Sequence, residues 1–152
     1  MQKLQKTVFL FILISCINKA SFAQKQHPVL NHIALYVKDL KTSTTFYSNI
    51  IQLDTIPEPF HDGRHTWFSI GSSSHLHLIH GAAAITAHEK NSHICFSLTS
   101  VKGFITVLEQ NKIEYENWAG EKNAITKRVD GVQQIYFKDP DGYWIEINDA
   151  TK

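Results

Sequence analysis

The chain has 152 residues, of which 43% are hydrophobic, and it carries a formal net charge of +1 at pH 7. This length and composition suffice for one compact domain with an apolar core, and they exclude an intrinsically disordered protein. The near-neutral charge and the lack of a basic run in the sequence argue against a nucleic-acid-binding protein.

The first 23 residues have the order of a secretory signal. Lys3 and Lys6 precede an apolar run at residues 8–17, and the small-residue sequence Ser-Phe-Ala follows at residues 21–23. Charged, apolar and small residues in this order predict cleavage after Ala23 and a periplasmic or secreted protein. The apolar run is shorter than the ~20 residues that span a membrane, so we expect no transmembrane helix.

The two cysteines have separate interpretations. Residues 13–16 (Leu-Ile-Ser-Cys) resemble a bacterial lipoprotein box, so the alternative to simple cleavage is a membrane-anchored lipoprotein with its lipid on Cys16. The chain is exported in either case. Cys95 alternates with Ile94 and Phe96, which predicts a buried thiol without a disulfide partner.

Two stretches of the chain repeat one pattern. "NHIALYVKDLKTSTTFYSNIIQL" starts at Asn31, and "SHICFSLTSVKGFITVLEQNKIEY" starts at Ser92. Each begins as an alternating strand and continues into an amphipathic helix. The apolar helix positions are Phe46, Ile50 and Leu53 in the first stretch and Phe104, Val107 and Leu108 in the second. A repeat of this kind predicts two copies of one structural module.

Three further strand-like runs follow each helix. They cover residues 53–60, 65–70 and 75–80 in the first half and residues 113–118, 132–138 and 143–148 in the second. The sequence therefore predicts an α+β fold of two βαβββ modules, residues 29–80 and 92–149, joined by a linker at residues 81–91. The polar residues 119–131 are interpreted as a long loop and a candidate lid.

Metal-ligand side chains recur at equivalent places in the two modules. His32 and His93 open the first strand of each module, and His77 and Glu146 lie in the last strand of each. Bulky aliphatic residues alternate with them, so a helix would cover the aliphatic face and leave the His or Glu face on a concave sheet. Imidazole and carboxylate are the usual ligands of borderline divalent metals, which makes these four residues a candidate metal site.

The chain resembles the vicinal oxygen chelate superfamily, which includes glyoxalase I, extradiol dioxygenases and bleomycin-resistance proteins. The resemblance covers residues 29–149 and depends on "NHIALYVKDL", "SHICFSL" and, most specifically, "QIYFKDPDGYWIEIND" near the end of the chain. It implies the glyoxalase/bleomycin resistance/dihydroxybiphenyl dioxygenase fold, in which curved mixed sheets surround a metal-binding cup. It also implies a homodimer, in which each site draws one module from each chain.

The resemblance assigns His32, His77, His93 and Glu146 as ligands of one divalent metal ion per site, which could be Zn, Ni, Mn or Fe. His77 departs from the pattern, because glyoxalase I has Glu at the matching place. Three neutral histidines and one carboxylate would leave a divalent site at about +1. Glyoxalase I also has glutathione-binding Arg and Asn residues where this chain has Tyr36 and Gly81.

A glyoxalase-like lyase or isomerase acting on a small molecule is the first functional hypothesis. Glu146 would be both metal ligand and catalytic base, abstracting a proton beside two adjacent oxygens held by the metal. Tyr36, Trp67, His75 and Trp144 are candidate substrate-binding residues, with ordinary packing as the alternative role for each.

Two other functional classes remain open. An extradiol-type dioxygenase would use Fe(II) bound by His32, His93 and Glu146. A binding or resistance protein would sequester a small molecule without a metal, and such a pocket has no need of the ligand set.

Overall fold

The computed structural model describes residues 27–150. The predicted signal sequence and the alternative lipid site at Cys16 lie outside the described residues. Between residues 27 and 150, no helix is both long enough and apolar enough to cross a membrane.

The first module is a four-stranded mixed sheet with one helix. Its elements are β1 (His32–Val37), α1 (Leu40–Asn49), β2 (Thr55–Ile56), β3 (His65–Ser69) and β4 (His75–His80). The strand order is β1-β4-β3-β2. β1 and β4 are parallel, and the other neighbours are antiparallel.

The second module repeats this arrangement. Its elements are β5 (His93–Ser97), α2 (Val101–Gln110), β6 (Thr126–Lys127), β7 (Gln133–Lys138) and β8 (Trp144–Asn148). The strand order is β5-β8-β7-β6, and the edge strand β5 is parallel to its neighbour β8. The predicted α+β fold of two βαβββ modules is thus confirmed, and both sheets are open.

Both helices begin at a side chain that caps the first turn. The Asp39 carboxylate accepts a hydrogen bond from the Thr42 amide at 2.6 Å, and the Ser100 hydroxyl accepts one from the Gly103 amide at 3.0 Å. These bonds satisfy amide groups that have no partner inside the helix. α1 ends at Asn49, so Leu53 lies beyond the helix and packs against the core from the following segment.

The predicted strand at residues 113–118 is wrong. Glu116 alone makes isolated bridges, to Lys122 and to Tyr136. A tight turn follows directly, in which the Gly120 amide donates to the Asn117 carbonyl at 3.1 Å, so the strand cannot extend. The short edge strand β6 instead lies inside the segment that was predicted to be a loop and a candidate lid.

The strand register separates an aliphatic face from a polar face in each sheet. Ile33 pairs with Leu76 in the first sheet, and Ile94 pairs with Ile145 in the second. The residues that alternate with them form the polar faces. The buried aliphatic and aromatic side chains belong to one core that includes Leu35, Val37, Phe46, Phe68, Leu76, Leu78, Phe104, Leu108, Ile135, Phe137, Ile145 and Ile147. The polar faces carry the candidate metal ligands.

The turn Asp139–Gly142 joins the modules through buried carboxylates. The Tyr47 hydroxyl on α1 donates to Asp139 at 2.8 Å, and the Ser43 hydroxyl donates to Asp141. The Lys38 amide also donates to Asp141, at 2.6 Å. Burial raises the pKa of Asp139 to about 6, although the hydrogen bonds from Tyr47 and the turn amides oppose this shift. The turn that carries the family resemblance thus connects the two halves of the molecule.

Candidate active site

The first half of the candidate site lies on the polar face of β1, β3 and β4. His77 is only 6% exposed, and its ring stacks on Trp67 with centroids 4.2 Å apart. The His32 ring meets the same two rings, at 5.9 Å from His77 and 5.2 Å from Trp67. The register explains this proximity, because Trp67 and Ala34 on the neighbouring strands both pair with His77.

In this half of the site, one nitrogen of His32 and one of His77 have lone pairs that could bind a metal. His32 Nδ1 lies 2.7 Å from the Asn31 side-chain oxygen, an acceptor, so Nδ1 carries the hydrogen and Nε2 keeps its lone pair. His77 Nε2 is buried and has no hydrogen-bond partner. Burial lowers the pKa of His77, and the nearby His65 and His32 lower it further, so the neutral, metal-binding form is favoured.

The second half lies on the polar face of β5, β7 and β8. His93 Nε2 is 3.0 Å from Glu146 Oε2, and His93 Nδ1 is 2.8 Å from the Lys90 carbonyl oxygen. A neutral imidazole carries one N–H and cannot satisfy two oxygen acceptors. With Nδ1 donating to the carbonyl, the lone pairs of Nε2 and Oε2 face each other and could both bind one cation. A metal-bound histidine usually donates its other ring N–H to a carbonyl or carboxylate in this way.

Glu146 is buried among hydrogen-bond donors. The Tyr136 hydroxyl donates to Oε2 at 2.7 Å, and the Asn148 amide donates to Oε1 at 2.9 Å. Burial alone would raise the pKa of Glu146. Hydrogen bonds from Tyr136, Asn148 and Cys95, together with His93, bring it below its usual value. Glu146 is therefore held as a carboxylate, the form that binds a metal or accepts a proton.

Cys95 was predicted to be buried, and this prediction is wrong. Its strand neighbours Ile94 and Phe96 are the inward-facing residues, so Cys95 lies on the opposite, polar face and is exposed. It pairs with Glu146 in the register, and its sulfur accepts a hydrogen bond from the Asn148 amide at 3.1 Å. Partial burial and the Glu146 carboxylate raise the pKa of the thiol to about 12.

Tyr136 and Asn148 were not singled out from the sequence, although a signal was present. Tyr136 is the register partner of Glu146, and Asn148 follows Glu146 by two residues in the same strand. The two residues alternate with buried Ile135 and Ile147. Alternation alone would therefore have placed them on the face of Glu146. The Gln134 amide extends the same network by donating to the Tyr136 hydroxyl at 2.6 Å.

The predicted substrate-binding residues are divided between the two sheets. Trp67 and His75 lie on the His77 face, with ring centroids 5.9 Å apart. Trp144 pairs with His93, and its indole nitrogen donates to the His88 carbonyl at 3.0 Å. Tyr36 is 51% exposed and lines a separate cleft of about 300 Å³ at the junction of the modules.

The four predicted ligands occur as two pairs, His32 with His77 and His93 with Glu146, on different sheets. Within residues 27–150, one group of His, Cys, Asp or Glu side chains has three ligand atoms all within 4.8 Å of one another, and it consists of Glu58, Asp62 and His65. Both of its carboxylates already accept loop amides, from Phe60 at 2.7 Å and from Arg64 at 2.9 Å.

The exposed aromatic residues lie beside these two pairs. Phe60 is 54% exposed and stacks over His77 with centroids 6.1 Å apart. Trp118 is 47% exposed and meets Tyr136 edge to face at 5.6 Å. A cleft of about 540 Å³ beside the second pair is lined by Trp118, Gln134 and Tyr136, with residues 126–130. Each half of the site therefore has an apolar rim open to the exterior.

Comparisons with known proteins agree with this architecture. The sequence profile of the Glyoxalase/Bleomycin resistance protein/Dioxygenase superfamily matches residues 29–147. The chain is 28% identical to the metallothiol transferase FosB of Staphylococcus epidermidis, over 80% of this chain and 82% of the relative. It is 24% identical to a lactoylglutathione lyase of Pseudomonas putida, over 81% and 86% of the two chains.

Solved structures show the same fold. The fosfomycin resistance protein FosX from Listeria monocytogenes matches with a TM-score of 0.67 at 25% identity, covering 83% of this chain and 96% of that chain. A lactoylglutathione lyase from Agrobacterium tumefaciens matches with a TM-score of 0.62 at 22% identity, with the same coverage. With the profile match over most of its length, the chain belongs to the Glyoxalase/Bleomycin resistance protein/Dioxygenase superfamily.

Proposed function

We propose that the protein is a metal-dependent lyase or isomerase of glyoxalase type that removes a proton beside two adjacent oxygens of a small substrate. The observation that carries this proposal is the pairing of Glu146 Oε2 with His93 Nε2 at 3.0 Å, while Lys90 holds the other nitrogen of the ring. A sequestering protein has no need of an ionised carboxylate buried at this place.

The donor set fits a borderline divalent cation. His32, His77 and His93 would bind through Nε2, and Glu146 would bind through Oε2. Such a cation would polarise two adjacent substrate oxygens and stabilise the negative charge that develops on proton removal. With three neutral ligands and one carboxylate, the positive charge of the cation is less compensated than it is with two carboxylates. The cation would therefore be a stronger Lewis acid.

Glu146 is proposed as the proton acceptor. Tyr136 and His93 both face Oε2, whereas Oε1 faces Asn148, so Oε1 is the oxygen that would receive the proton. The hydrogen bond from Asn148 keeps Oε1 oriented, and Tyr136 prevents the carboxylate from rotating out of the site. Trp67 and Trp144 would exclude water from the substrate on either side.

We infer that the complete site forms between two chains of a homodimer. The support is the distribution of ligands, with one pair on each sheet, and the exposed aromatic residues beside each pair, Phe60 and Trp118. Exposed aromatic residues at the edge of a site are typical of a subunit interface. Export to the periplasm or outside the cell, with or without a lipid on Cys16, is part of the same proposal and depends on the signal sequence.

Deuterium uptake from solvent tests the proposed reaction. A panel of small α-hydroxycarbonyl compounds is incubated in D2O with residues 24–152 after reconstitution with zinc, nickel, manganese or iron, and C–H exchange is followed by NMR. We expect at least one metal form to catalyse exchange and Glu146→Gln to slow it by ~10²–10⁴-fold. His61→Ala is the matched control, because this side chain is 82% exposed. Equal exchange rates in wild type and Glu146→Gln would remove Glu146 as the base.

Mixing two defective variants tests the assembly. His32→Ala and Glu146→Ala each damage one half of the site, so neither homodimer should bind metal tightly. If the halves come from different chains, a mixed dimer contains one intact site, and metal binding returns on unfolding and refolding the two variants together. No recovery in a mixture shown to contain mixed dimers would place both halves in one chain.

A further inference from the structure

Lys90 is a partly buried lysine in the linker just before β5. Its side chain is only 16% exposed. The ammonium lies 2.7 Å from Glu116 Oε1 and 2.6 Å from the Asn117 carbonyl oxygen, with the Trp118 carbonyl at 3.1 Å. An ammonium group has three hydrogens, so all of them are satisfied.

Aromatic rings enclose the same ammonium group. It lies 4.8 Å from the ring centroid of Tyr136 and 5.1 Å from that of Trp144, with Trp118 at 5.7 Å. Each distance is within the range in which a cation is attracted to an aromatic face. Lys90 is thus fixed both by hydrogen bonds and by the rings of β7 and β8.

The backbone of Lys90 reaches the first ligand of the second half. Its carbonyl oxygen accepts the hydrogen bond from His93 Nδ1 at 2.8 Å. This bond orients the ring so that Nε2 faces Glu146, at 3.0 Å from Oε2. Because the side chain anchors this part of the linker, the position of the carbonyl depends on the ammonium contacts.

The side chain of Lys90 also reaches the partner of Glu146. Tyr136 lies under the ammonium group and donates its hydroxyl hydrogen to Glu146 Oε2 at 2.7 Å. Glu116, which neutralises Lys90, exchanges two backbone hydrogen bonds with Tyr136, both at 2.8 Å. Lys90 therefore accepts the hydrogen bond that orients His93, and it contacts Tyr136, which donates a hydrogen bond to Glu146.

We propose that Lys90 is the positioning residue of this half of the site, holding the orientation of the His93 ring through its carbonyl and the Tyr136–Glu146 hydrogen bond through its ammonium group. This role rests on the proposed function of His93 and Glu146. It distinguishes Lys90 from Lys122, whose ion pair with Glu114 at 2.9 Å has both side chains mostly exposed, at 67% and 79%.

The test compares Lys90→Met, which keeps the aliphatic chain and removes the charge, with Lys90→Arg, which keeps the charge. Lys122→Met is the matched control. The first readout is the Nδ1–H signal of the His93 imidazole in the ¹H–¹⁵N NMR spectrum of metal-free protein. The hydrogen bond to the Lys90 carbonyl protects this hydrogen from exchange with water. The signal should be visible in wild type, Lys122→Met and Lys90→Arg, and it should be lost in Lys90→Met.

The second readout is zinc affinity, measured by competition with a chelator. Loss of a residue that orients a ligand typically weakens metal binding ~10–100-fold, so we expect that loss in Lys90→Met, substantial recovery in Lys90→Arg and no change in Lys122→Met. An unchanged Nδ1–H signal in Lys90→Met would overturn the proposal, and so would equal losses of zinc affinity in Lys90→Met and Lys90→Arg.

The two readouts separate this proposal from the proposed function. If wild type binds no zinc, the metal-dependent function fails, and the Nδ1–H signal of His93 in metal-free protein still decides the role of Lys90. If Lys90→Met does not fold, Glu116→Gln replaces it, because it removes the neutralising charge and leaves both carbonyl contacts. An unchanged Nδ1–H signal of His93 in folded Glu116→Gln, with zinc affinity equal to that of wild type, would then overturn the proposal.

Discussion

Glu146 and Cys95 are register partners on adjacent parallel strands, and both face the polar side of the second sheet. Partial burial, together with the Glu146 carboxylate, raises the pKa of the Cys95 thiol to about 12. A thiol at the centre of a candidate metal site is therefore kept protonated while the carboxylate beside it stays ionised. The reactivity of the Cys95 thiol therefore depends on the charge of Glu146.

Alkylation of Cys95 should be slow. A rise of the pKa to about 12 lowers the thiolate fraction, and the greater nucleophilicity of a more basic thiolate offsets only part of this loss. We expect iodoacetamide at pH 8 to react roughly 50-fold more slowly with folded residues 24–152 than with the same chain in urea. Glu146→Gln should accelerate the folded reaction several-fold. Alkylation of folded wild type at the rate of the unfolded chain would show that the carboxylate does not control the thiol.

His77→Phe should separate stability from metal binding. Phenylalanine keeps an aromatic ring against Trp67 and removes the buried Nε2 that has no partner. In metal-free protein we expect the free energy of unfolding to stay constant or rise by about 1 kcal/mol, since an unsatisfied buried polar group is removed. The stabilisation of wild type by zinc should be lost in this variant.

The control for that experiment is His75→Phe, on the same face of the same strand. It should keep most of the zinc-induced rise in Tm. A metal-free His77→Phe protein that is less stable than wild type by more than about 2 kcal/mol would mean that His77 makes a structural contribution that its unpartnered nitrogen does not reveal.

Tyr136→Phe should raise the pKa of Glu146. The tyrosine hydroxyl donates to the carboxylate and accepts from the Gln134 amide, so its loss removes a stabilising donor and leaves a buried amide without a partner. We expect a loss of about 1–2 kcal/mol in stability and a higher Glu146 pKa, measured by NMR of the ¹³C-labelled carboxyl group in metal-free protein. Tyr115→Phe, at another buried tyrosine, serves as the control and should leave the Glu146 titration in place.

Asp139 should make stability depend on pH in the opposite sense to an ordinary ion-paired carboxylate. Its pKa is raised from 3.8 to about 6 in the folded protein, so protonation favours the folded state. The contribution is fully present below about pH 4 and is lost as the pH rises to about 6, with a total of ~3 kcal/mol as an upper bound.

Urea denaturation of wild type and Asp139→Asn in the presence of a chelator measures this effect. The difference in unfolding free energy, wild type minus Asp139→Asn, should decrease between pH 4 and pH 6 and remain constant above pH 6.5. Contributions from other groups that are the same in the two proteins cancel in the difference. A difference that increases over this range would show that the hydrogen bonds from Tyr47 and the turn amides outweigh burial.

The repeat and the sheet faces could be predicted from the sequence because they depend on local alternation. His32 with Ile33 and Glu146 with Ile147 each indicate which face joins the apolar core, and the structure follows that pattern in both sheets. The same alternation places Cys95 on the polar face. The prediction that it is buried followed instead from the general preference of cysteines for the interior.

Other features depend on contacts between distant parts of the chain. Glu116 and Tyr136 lie 26 or more residues after Lys90 in the chain. The sequence around Lys90, "AHEKNSH", does not indicate these contacts. The strand expected at residues 113–118 failed because one turn at Gly120 redirects the chain. A search for β-branched and aromatic runs does not detect such a turn.

The central claim is that His93 and Glu146 bind a divalent metal. The most direct measurement is elemental analysis of metal per chain on residues 24–152 without a His tag, after reconstitution and gel filtration, for wild type, Glu146→Ala, His77→Ala and His75→Ala. We predict one tightly held metal per chain in wild type and His75→Ala, and loss of that metal in Glu146→Ala and His77→Ala. Retention in His77→Ala would reduce the ligand set to three, and wild type without stoichiometric metal would contradict the account and leave a small-molecule binding protein.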